Sequence, residues 1–342
     1  MNETLRVAVA GAGRAGAVHA RNLPLVPGAK LVGLIDADPD AARGLADELG
    51  VEVAPDLEEA IRRFEPHAIV IGAPTFTHRD LAVAAAEAGL HVFCEKPMAL
   101  TVQECDEMIA AHERAGTVLQ IGFVRRYREE FVEAAARIAR GDIGRPMIVK
   151  TLTRGPGLPP PWAWDLERSN GMLAEVNSHD FDCAAWLVGS PIERVYAEVA
   201  NFKGAERGVE VEDFYDNAVV SLRFESGAIG TIDGTCPADY GYDARAEVVG
   251  TEGMLVIGEV GGMALLEAKD RKTGTVRPIT RTWPERFGEA YRLELTAFVE
   301  AIAKGEPGEP GGEAGRAATA AVRAANRSWL EGRPVLLSEE LT

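Results

Sequence analysis

Four short stretches of the chain carry residue types able to do chemistry. The first is Gly11-Ala12-Gly13-Arg14-Ala15-Gly16, with the spacing G-x-G-x-x-G. In such a motif the first glycine makes a tight turn, the second lets a pyrophosphate approach the backbone, and the third allows close helix–strand packing. The second stretch ends at Asp36, twenty residues past Gly16. A carboxylate there can accept both ribose hydroxyls of NAD and would repel the 2′-phosphate of NADP. The third is Glu95-Lys96-Pro97, whose lysine could donate to an oxygen that becomes negative during reaction. The fourth is Glu175 with His179, four residues on. On a helix that spacing lets the carboxylate orient the imidazole or stabilise its protonated form. The same spacing also describes an exposed helix ion pair, worth only a few tenths of a kcal/mol.

The elements around these stretches are those that would position them. An apolar run, Leu5-Arg6-Val7-Ala8-Val9-Ala10, leads into the glycine motif, and a helix-compatible segment follows it. A second apolar strand, 30–35, ends at Asp36. The glycine motif therefore has a strand before it, a helix after it and an acid at the expected distance, the context that confirms a dinucleotide site. Beyond Asp36 the pattern alternates: helix 39–49, strand 51–54, helix 56–64, strand 68–73, helix 77–88 with Thr77 as N-cap, strand 91–95. Helix 101–115, opened by the capping box Thr101-x-x-Glu104, and strand 118–123 complete it. Strict alternation predicts a doubly wound parallel sheet, an α/β Rossmann domain, with the cofactor across the carboxyl ends of its strands. Three strand ends then become candidate contacts: Ala73-Pro74-Thr75, Glu95-Lys96-Pro97 and Gln120-Ile121-Gly122.

The character changes near residue 124. A connecting helix, 129–140, is followed by the proline-rich loop 154–162, which holds Arg154 and Trp162 and cannot be regular structure. One helix over 171–187 would carry Glu175 and His179 on one face, with Met172, Val176 and Phe181 toward a core. From 191 to about 278 the chain reads as short β-branched runs bounded by glycines, which predicts a large, mostly antiparallel sheet and an α+β domain. Helices 289–303 and 315–329, separated by a Gly/Pro/Glu-rich linker, close the chain. The expected domains are 1–124, binding the dinucleotide, and 125–342, binding substrate and including the helices of 289–329. The 171–188 helix should cover one face of the second sheet. Too few helices remain for the other face, which predicts a homodimer or homotetramer paired through it.

Composition narrows the classes. Hydrophobic residues make up 46% of the 342 and charged residues 26%, which is ordinary for a globular protein. The net charge of −17 argues against nucleic acid or an anionic membrane as partner, since both need a basic footprint. No apolar run approaches a membrane span, and the start of the chain lacks the regions of a signal peptide. Cys94, Cys105, Cys183 and Cys236 lie far apart, as expected of reduced thiols in a cytoplasmic protein rather than a disulfide frame or zinc site.

Together these residues resemble the family of glucose–fructose oxidoreductase, inositol 2-dehydrogenase and rhizopine-catabolism proteins, over nearly the whole chain. The markers are Gly11 to Gly16, Asp36, Pro74-Thr75-x-x-His78, Glu95-Lys96-Pro97, the run from Gly122 to Tyr127, and Glu175-x-x-x-His179-Asp180-Phe181-Asp182. Two further segments resemble inositol 2-dehydrogenases in particular: Asp216-Asn217-Ala218 with Phe224 to Gly230 and Tyr240 to Gly250, and Glu285 to Tyr291. The resemblance implies NAD-dependent oxidation of a ring CH–OH of a cyclic polyol, with Lys96, Glu175 and His179 as catalytic residues and no metal. It implies cofactor contacts from Gly11, Gly13, Arg14, Ala15, Gly16, Asp36, Ala73, Pro74, Thr75, His78, Glu95, Lys96 and Gln120. Arg125, Arg154, Trp162, Asp182 and Tyr240 are candidates for the substrate wall. Glu175 stands where inositol dehydrogenases usually carry Asp. Another sugar as substrate, or a non-catalytic NAD-binding sensor, would keep most of these features. Members of the resembled family are often tetramers.

Asp36 generates a direct test of cofactor choice. We expect NAD to be preferred over NADP by at least about tenfold in kcat/KM, through hydroxyl acceptance and charge repulsion. Asp36→Ala should narrow that preference, and equal turnover of the wild type with NADP would refute it.

Overall fold

The computed structural model describes residues 4–258 and 282–341. Met1–Tyr127 and Glu289–Arg316 group as one compact unit, and Arg128–Gly288 with Ala317–Thr342 as a second.

In the first unit, six strands lie in the order β3-β2-β1-β4-β5-β6, and every pairing is parallel. They are β1 (Leu5–Ala10), β2 (Ala29–Ile35), β3 (Val53–Ala54), β4 (Ala68–Ile71), β5 (His91–Glu95) and β6 (Leu119–Gly122). The connecting helices are α1 (Arg14–Asn22), α2 (Pro39–Leu49), α3 (Leu57–Phe64), α4 (His78–Glu87) and α5 (Val102–Ala115). Val7, Val9, Val70 and Phe93 are buried because both faces of a parallel sheet are covered. The capping box at α5 forms: Glu104 N–H donates to Thr101 Oγ1 at 3.1 Å, and Thr101 N–H to Glu104 Oε2 at 3.1 Å. Thr77 does not cap α4 with its side chain. Its hydroxyl donates to Pro74 O at 2.8 Å, because a short 3₁₀ turn, Thr75–Thr77, runs directly into the helix.

The second unit holds α6 (Glu129–Ala139), β7 (Pro146–Arg154), the short α7 (Leu166–Ser169), α8 (Gly171–Glu175), α9 (Ser178–Val188), β8 (Ile192–Ala200) and α10 (Lys203–Glu206). It continues through β9 (Asn217–Phe224), β10 (Ile229–Thr235), β11 (Asp243–Gly250) and β12 (Met254–Ile257). Along the chain α11 (Trp283–Lys304) and α12 (Gly312–Glu331) follow, with Glu289–Arg316 counted in the first unit, and the short β13 (Val335–Leu336) comes last. Among the described residues, the sheet order is β12-β11-β7-β10-β9-β8-β13, antiparallel throughout except for the parallel pair β7 and β10. The stretch 259–278, expected to belong to the strand-rich region, lies outside the described residues.

Three features differ from the sequence expectation. Arg154 ends a nine-residue strand instead of opening a loop. That strand escaped notice because its inward positions alternate as Val149, Thr151 and Thr153, whose hydroxyls mask the apolar period. The single helix over 171–187 is broken at Val176–Asn177 into α8 and α9, so Glu175 and His179 do not share one continuous helical face. At the break the Asn177 side chain turns toward the sheet and lies against Gly234. Finally, Glu289–Arg316 groups with the first unit, whereas the sequence placed it with the second. Leu295, Phe298 and Val299 of α11 bury themselves in the core built around Val7, Val9 and Phe93.

The core of the second unit lies between one sheet face and α6, α9 and α12. Val220, Leu222, Phe224 and Ile232 point into it, while Val219, Ile229, Met254 and Val256 alternate to the opposite face and are exposed.

Candidate active site

The glycine turn is built by backbone touching backbone. A Cβ on Gly16 would sit 1.7 Å from Gly11 O, and one on Gly11 would sit 2.6 Å from Ala73 Cα. Gly11 also takes a φ of +88°, which favours glycine. Around Gly13, by contrast, there is open space within 4 Å of where a Cβ would lie. Gly13 is the N-cap of α1 and provides no side chain, so the first-turn N–H groups at Arg14 and Ala15 are left for an anion. Asp36 is fixed at the tip of β2: Oδ2 accepts from Ala12 N–H at 2.8 Å and Oδ1 from Asp38 N–H at 3.0 Å. Each oxygen keeps a further acceptor position for a ribose hydroxyl. These residues fit a dinucleotide: open space beside Gly13, helix N–H donors at Arg14 and Ala15, and a fixed carboxylate.

At the ends of β4, β5 and β6 the expected contacts divide into lining and supporting residues. Ala73, Pro74 and Lys96 are partly exposed at the carboxyl ends of their strands, while Thr75 is buried. His78 is buried and fastens two loops, with Nδ1 2.9 Å from Pro97 O and Nε2 2.9 Å from Ala73 O. Burial lowers its pKa from the ordinary imidazole value, against the Ala73 and Pro97 carbonyls and the Glu95 charge, which favour the protonated ring. Gln120 is also buried; its amide donates to Glu294 O at 2.9 Å and to the Tyr127 hydroxyl at 3.2 Å. Arg125 is buried within the same unit.

Glu95 turns inward. Its Oε1 meets His19 Nε2 at 2.7 Å, and its Oε2 accepts from Lys96 N–H at 3.1 Å. Burial pushes this carboxyl up, but the His19 hydrogen bond and charge and the nearby Lys96 charge outweigh it, holding it ionised and below the usual range. Nearby, Glu294 of α11 is 0% exposed, and neither carboxylate oxygen has a hydrogen-bond partner among the described residues. Burial, and then the charge of Glu95, push the Glu294 carboxyl well above its ordinary value. His19, Glu95 and Glu294 bring ligand-type atoms within 4.8 Å of one another. Within this cluster the 2.7 Å contact joins His19 to Glu95 as a hydrogen bond. His19 and Glu294 were not singled out in the sequence, where each is one polar residue on an otherwise ordinary helix.

In the second unit, His179 is 7% exposed in the first turn of α9, with Asp182 buried one turn on and Glu175 half-buried at the end of α8. Tyr215 anchors α8: Leu173 N–H donates to its hydroxyl at 3.3 Å, and that hydroxyl donates to Asn326 Oδ1 of α12 at 2.6 Å. Arg154 and Tyr240 belong to one charged group at the end of β7 and start of β11. Arg154 Nη2 donates to Asp233 Oδ1 at 2.6 Å, and Tyr240 donates to Asp243 Oδ2 at 3.2 Å. Arg245 forks the same Asp243 at 2.9 and 3.0 Å. Burial and the Asp243 charge push the Tyr240 phenol up to about 12, keeping it a neutral donor. Trp162 lies half-buried in the 3₁₀ turn Pro161–Trp164.

Comparison with known proteins adds an independent finding. Residues 5–123 match an oxidoreductase family with an NAD-binding Rossmann fold, and residues 131–256 match the GFO/IDH/MocA C-terminal domain. The chain is 35% identical over 336 residues to myo-inositol 2-dehydrogenase of Thermotoga maritima, covering 98% of this chain and 99% of that protein. It is 36% identical over 343 residues to scyllo-inositol 2-dehydrogenase (NAD(+)) of Bacillus subtilis, covering 98% and 97%. A crystal structure of a probable dehydrogenase from Thermotoga maritima superposes with a TM-score of 0.87 at 35% identity, covering 98% and 100%. Scyllo-inositol dehydrogenase from Lactobacillus casei, crystallised with NAD(H) and scyllo-inositol, superposes with a TM-score of 0.87 at 25% identity, covering 98% and 100%.

The buried acid on α11 sets a pH dependence of stability. A carboxyl whose folded pKa is raised contributes stability that is complete below its ordinary value of 4.5 and is lost as pH rises toward the folded pKa. Glu294→Gln keeps the shape and removes the proton to be lost, so its melting temperature should gain on wild type progressively from pH 5 to pH 8. Thermal melts showing a constant or shrinking difference would refute the raised Glu294 pKa.

Proposed function

The chain belongs to the GFO/IDH/MocA family of oxidoreductases, and on that premise we propose that it oxidises one ring CH–OH of an inositol to a ketone with NAD. The observation that carries this reading is the near-full-length identity to inositol 2-dehydrogenases, in a chain whose glycine turn and Asp36 fit a dinucleotide.

NAD, when bound, supplies the acceptor for the carbinol hydride. His179 takes the hydroxyl proton as general base. Lys96 donates a hydrogen bond to the reacting oxygen and favours the alkoxide character that develops there. Its backbone N–H is held by Glu95, so the loop carrying the ammonium is fixed from below. Glu175 orients His179 and supports its positive form, acting from the end of α8 across the Val176–Asn177 break. Arg154, Tyr240 and Asp182 are polar groups suited to ring hydroxyls, and Arg125 and Trp162 complete the proposed wall. The reaction belongs to the cytoplasm, which agrees with four buried free thiols; among the described residues no helix is long and apolar enough to cross a membrane.

The same reading includes a homodimer or homotetramer paired through the second sheet. Exposed Val219, Ile229, Met254 and Val256 on the face opposite the core support that pairing. Light scattering at micromolar concentration should return two or four times 36.6 kDa, and a monomer would refute it.

The chemistry is tested by steady-state oxidation of myo- and scyllo-inositol, beside NADH binding by fluorescence. His179→Ala should lose about 10²–10⁴ in rate, and Lys96→Ala roughly 10²–10³, with NADH binding retained. Glu175→Gln should be affected no more than these, and the two alanine variants should combine less than additively. His179→Ala within a few-fold of wild type would overturn the assignment.

A further inference from the structure

The first turn of α9 is tied down by a buried polar knot that the reaction does not use directly. Asp180, next to His179, is 0% exposed, and its Oδ2 accepts from Thr153 Oγ1 at 2.6 Å and Asn177 Nδ2 at 2.8 Å. The backbone N–H groups of Asp180 and Phe181 donate to Asn177 O at 2.8 and 3.2 Å. Asn177 is buried at the N-cap of α9, yet its side chain makes no ordinary cap to that helix's backbone. Its amide is committed to Asp180, and its Oδ1 points at Gly234. A Cβ on Gly234 would lie 2.1 Å from that oxygen. Gly234 and Thr153 are register partners on β10 and β7, so adjacent strands supply both the hydroxyl and the space.

Glycine inside a strand weakens it and often marks a close approach by another group. Here the approaching group is Asn177, and its insertion coincides with the interruption between α8 and α9. Apolar packing alone would tolerate several starting points for α9. Directional hydrogen bonds to one carboxylate oxygen select one, and a slip of one residue would turn His179 by about 100° around the helix axis.

We propose that Asn177, Asp180 and Thr153, with the missing side chain at Gly234, are positioning residues that set the orientation of the His179 imidazole. This rests on the reading of His179 as the base. The strands hold the carboxylate, the carboxylate holds Asn177, and Asn177 fixes where α9 begins.

The test uses full-length Gly234→Ala, Thr153→Val, Thr153→Ser and Asn177→Ala, with Gly234→Ala/Asn177→Ala. Each is measured for inositol turnover, NADH binding and the NMR titration of the His179 ring, assigned by comparison with His179→Ala. Gly234→Ala should lower kcat by about tenfold or more, as small misplacements of reacting groups do, and should shift the His179 titration with NADH binding unchanged. Thr153→Val should move both readouts in the same direction, and Thr153→Ser should restore them. The double variant should be no worse than Asn177→Ala, because the clash has lost its partner. A wild-type His179 titration in Gly234→Ala, or Thr153→Ser as impaired as Thr153→Val, would overturn the proposal. If Gly234→Ala does not fold, the Thr153 pair decides. The NMR readout needs no turnover, so an active His179→Ala would overturn the assigned base while the titrations still judge the positioning.

Discussion

The contact between backbones at the first glycine turn constrains everything else in the dinucleotide-binding unit. Gly11 presses on Ala73 and Gly16 presses on Gly11, with no room for a Cβ at either position. A Cβ on Gly72 would likewise lie 2.7 Å from Gly16 N. This closeness draws α1 down onto the sheet. Three residues past Gly16, His19 then reaches the interior, edge-on to Phe93 and Tyr291 with ring centroids 5.0 and 5.5 Å away. His19 meets Glu95, and Glu95 accepts the N–H of Lys96. The glycines therefore shape the cradle for a pyrophosphate and, through one buried histidine, also steady the loop that carries the proposed catalytic lysine.

Buried carboxyl groups are used in different ways. Glu95 stays ionised because an imidazole, a backbone N–H and a lysine charge compensate for lost water. Glu294, close to it and without such partners among the described residues, is pushed toward its neutral form by burial and by that same charge. Asp180 receives a threonine hydroxyl and an asparagine amide on one oxygen. What separates Glu95 from Glu294 is the set of donors within hydrogen-bond reach, since burial raises both.

The second unit places its own groups by a related logic. One sheet face builds a core with α6, α9 and α12, and Tyr215 with Asn326 holds α8 against α12. The ends of β7 and β11 gather Arg154, Asp233, Tyr240, Asp243 and Arg245 into a network of alternating charge. These groups are far apart in sequence and adjacent only because β7, inserted between β10 and β11, pairs with both.

By itself the sequence determined the alternating elements of the first unit, the glycine turn with Asp36, the α5 capping box and the dinucleotide reading. Each of these is written in local spacing: a 2- or 3.6-residue period, a turn residue, or an acid at a set distance from a glycine. Tertiary structure decided the rest. It interrupted the helix between Glu175 and His179 at the point where Gly234, nearly sixty residues away in the chain, leaves space for Asn177. It turned His78, Glu95 and Gln120 inward as supports, and it brought Glu294 of α11 beside Glu95. Strand β7 stayed hidden because two of its inward residues are threonines whose hydroxyl partners were unknown until Asp180 was in place. A local period records which side of an element faces a core. It does not record what polar group waits on the other side, because that depends on residues brought in by the fold.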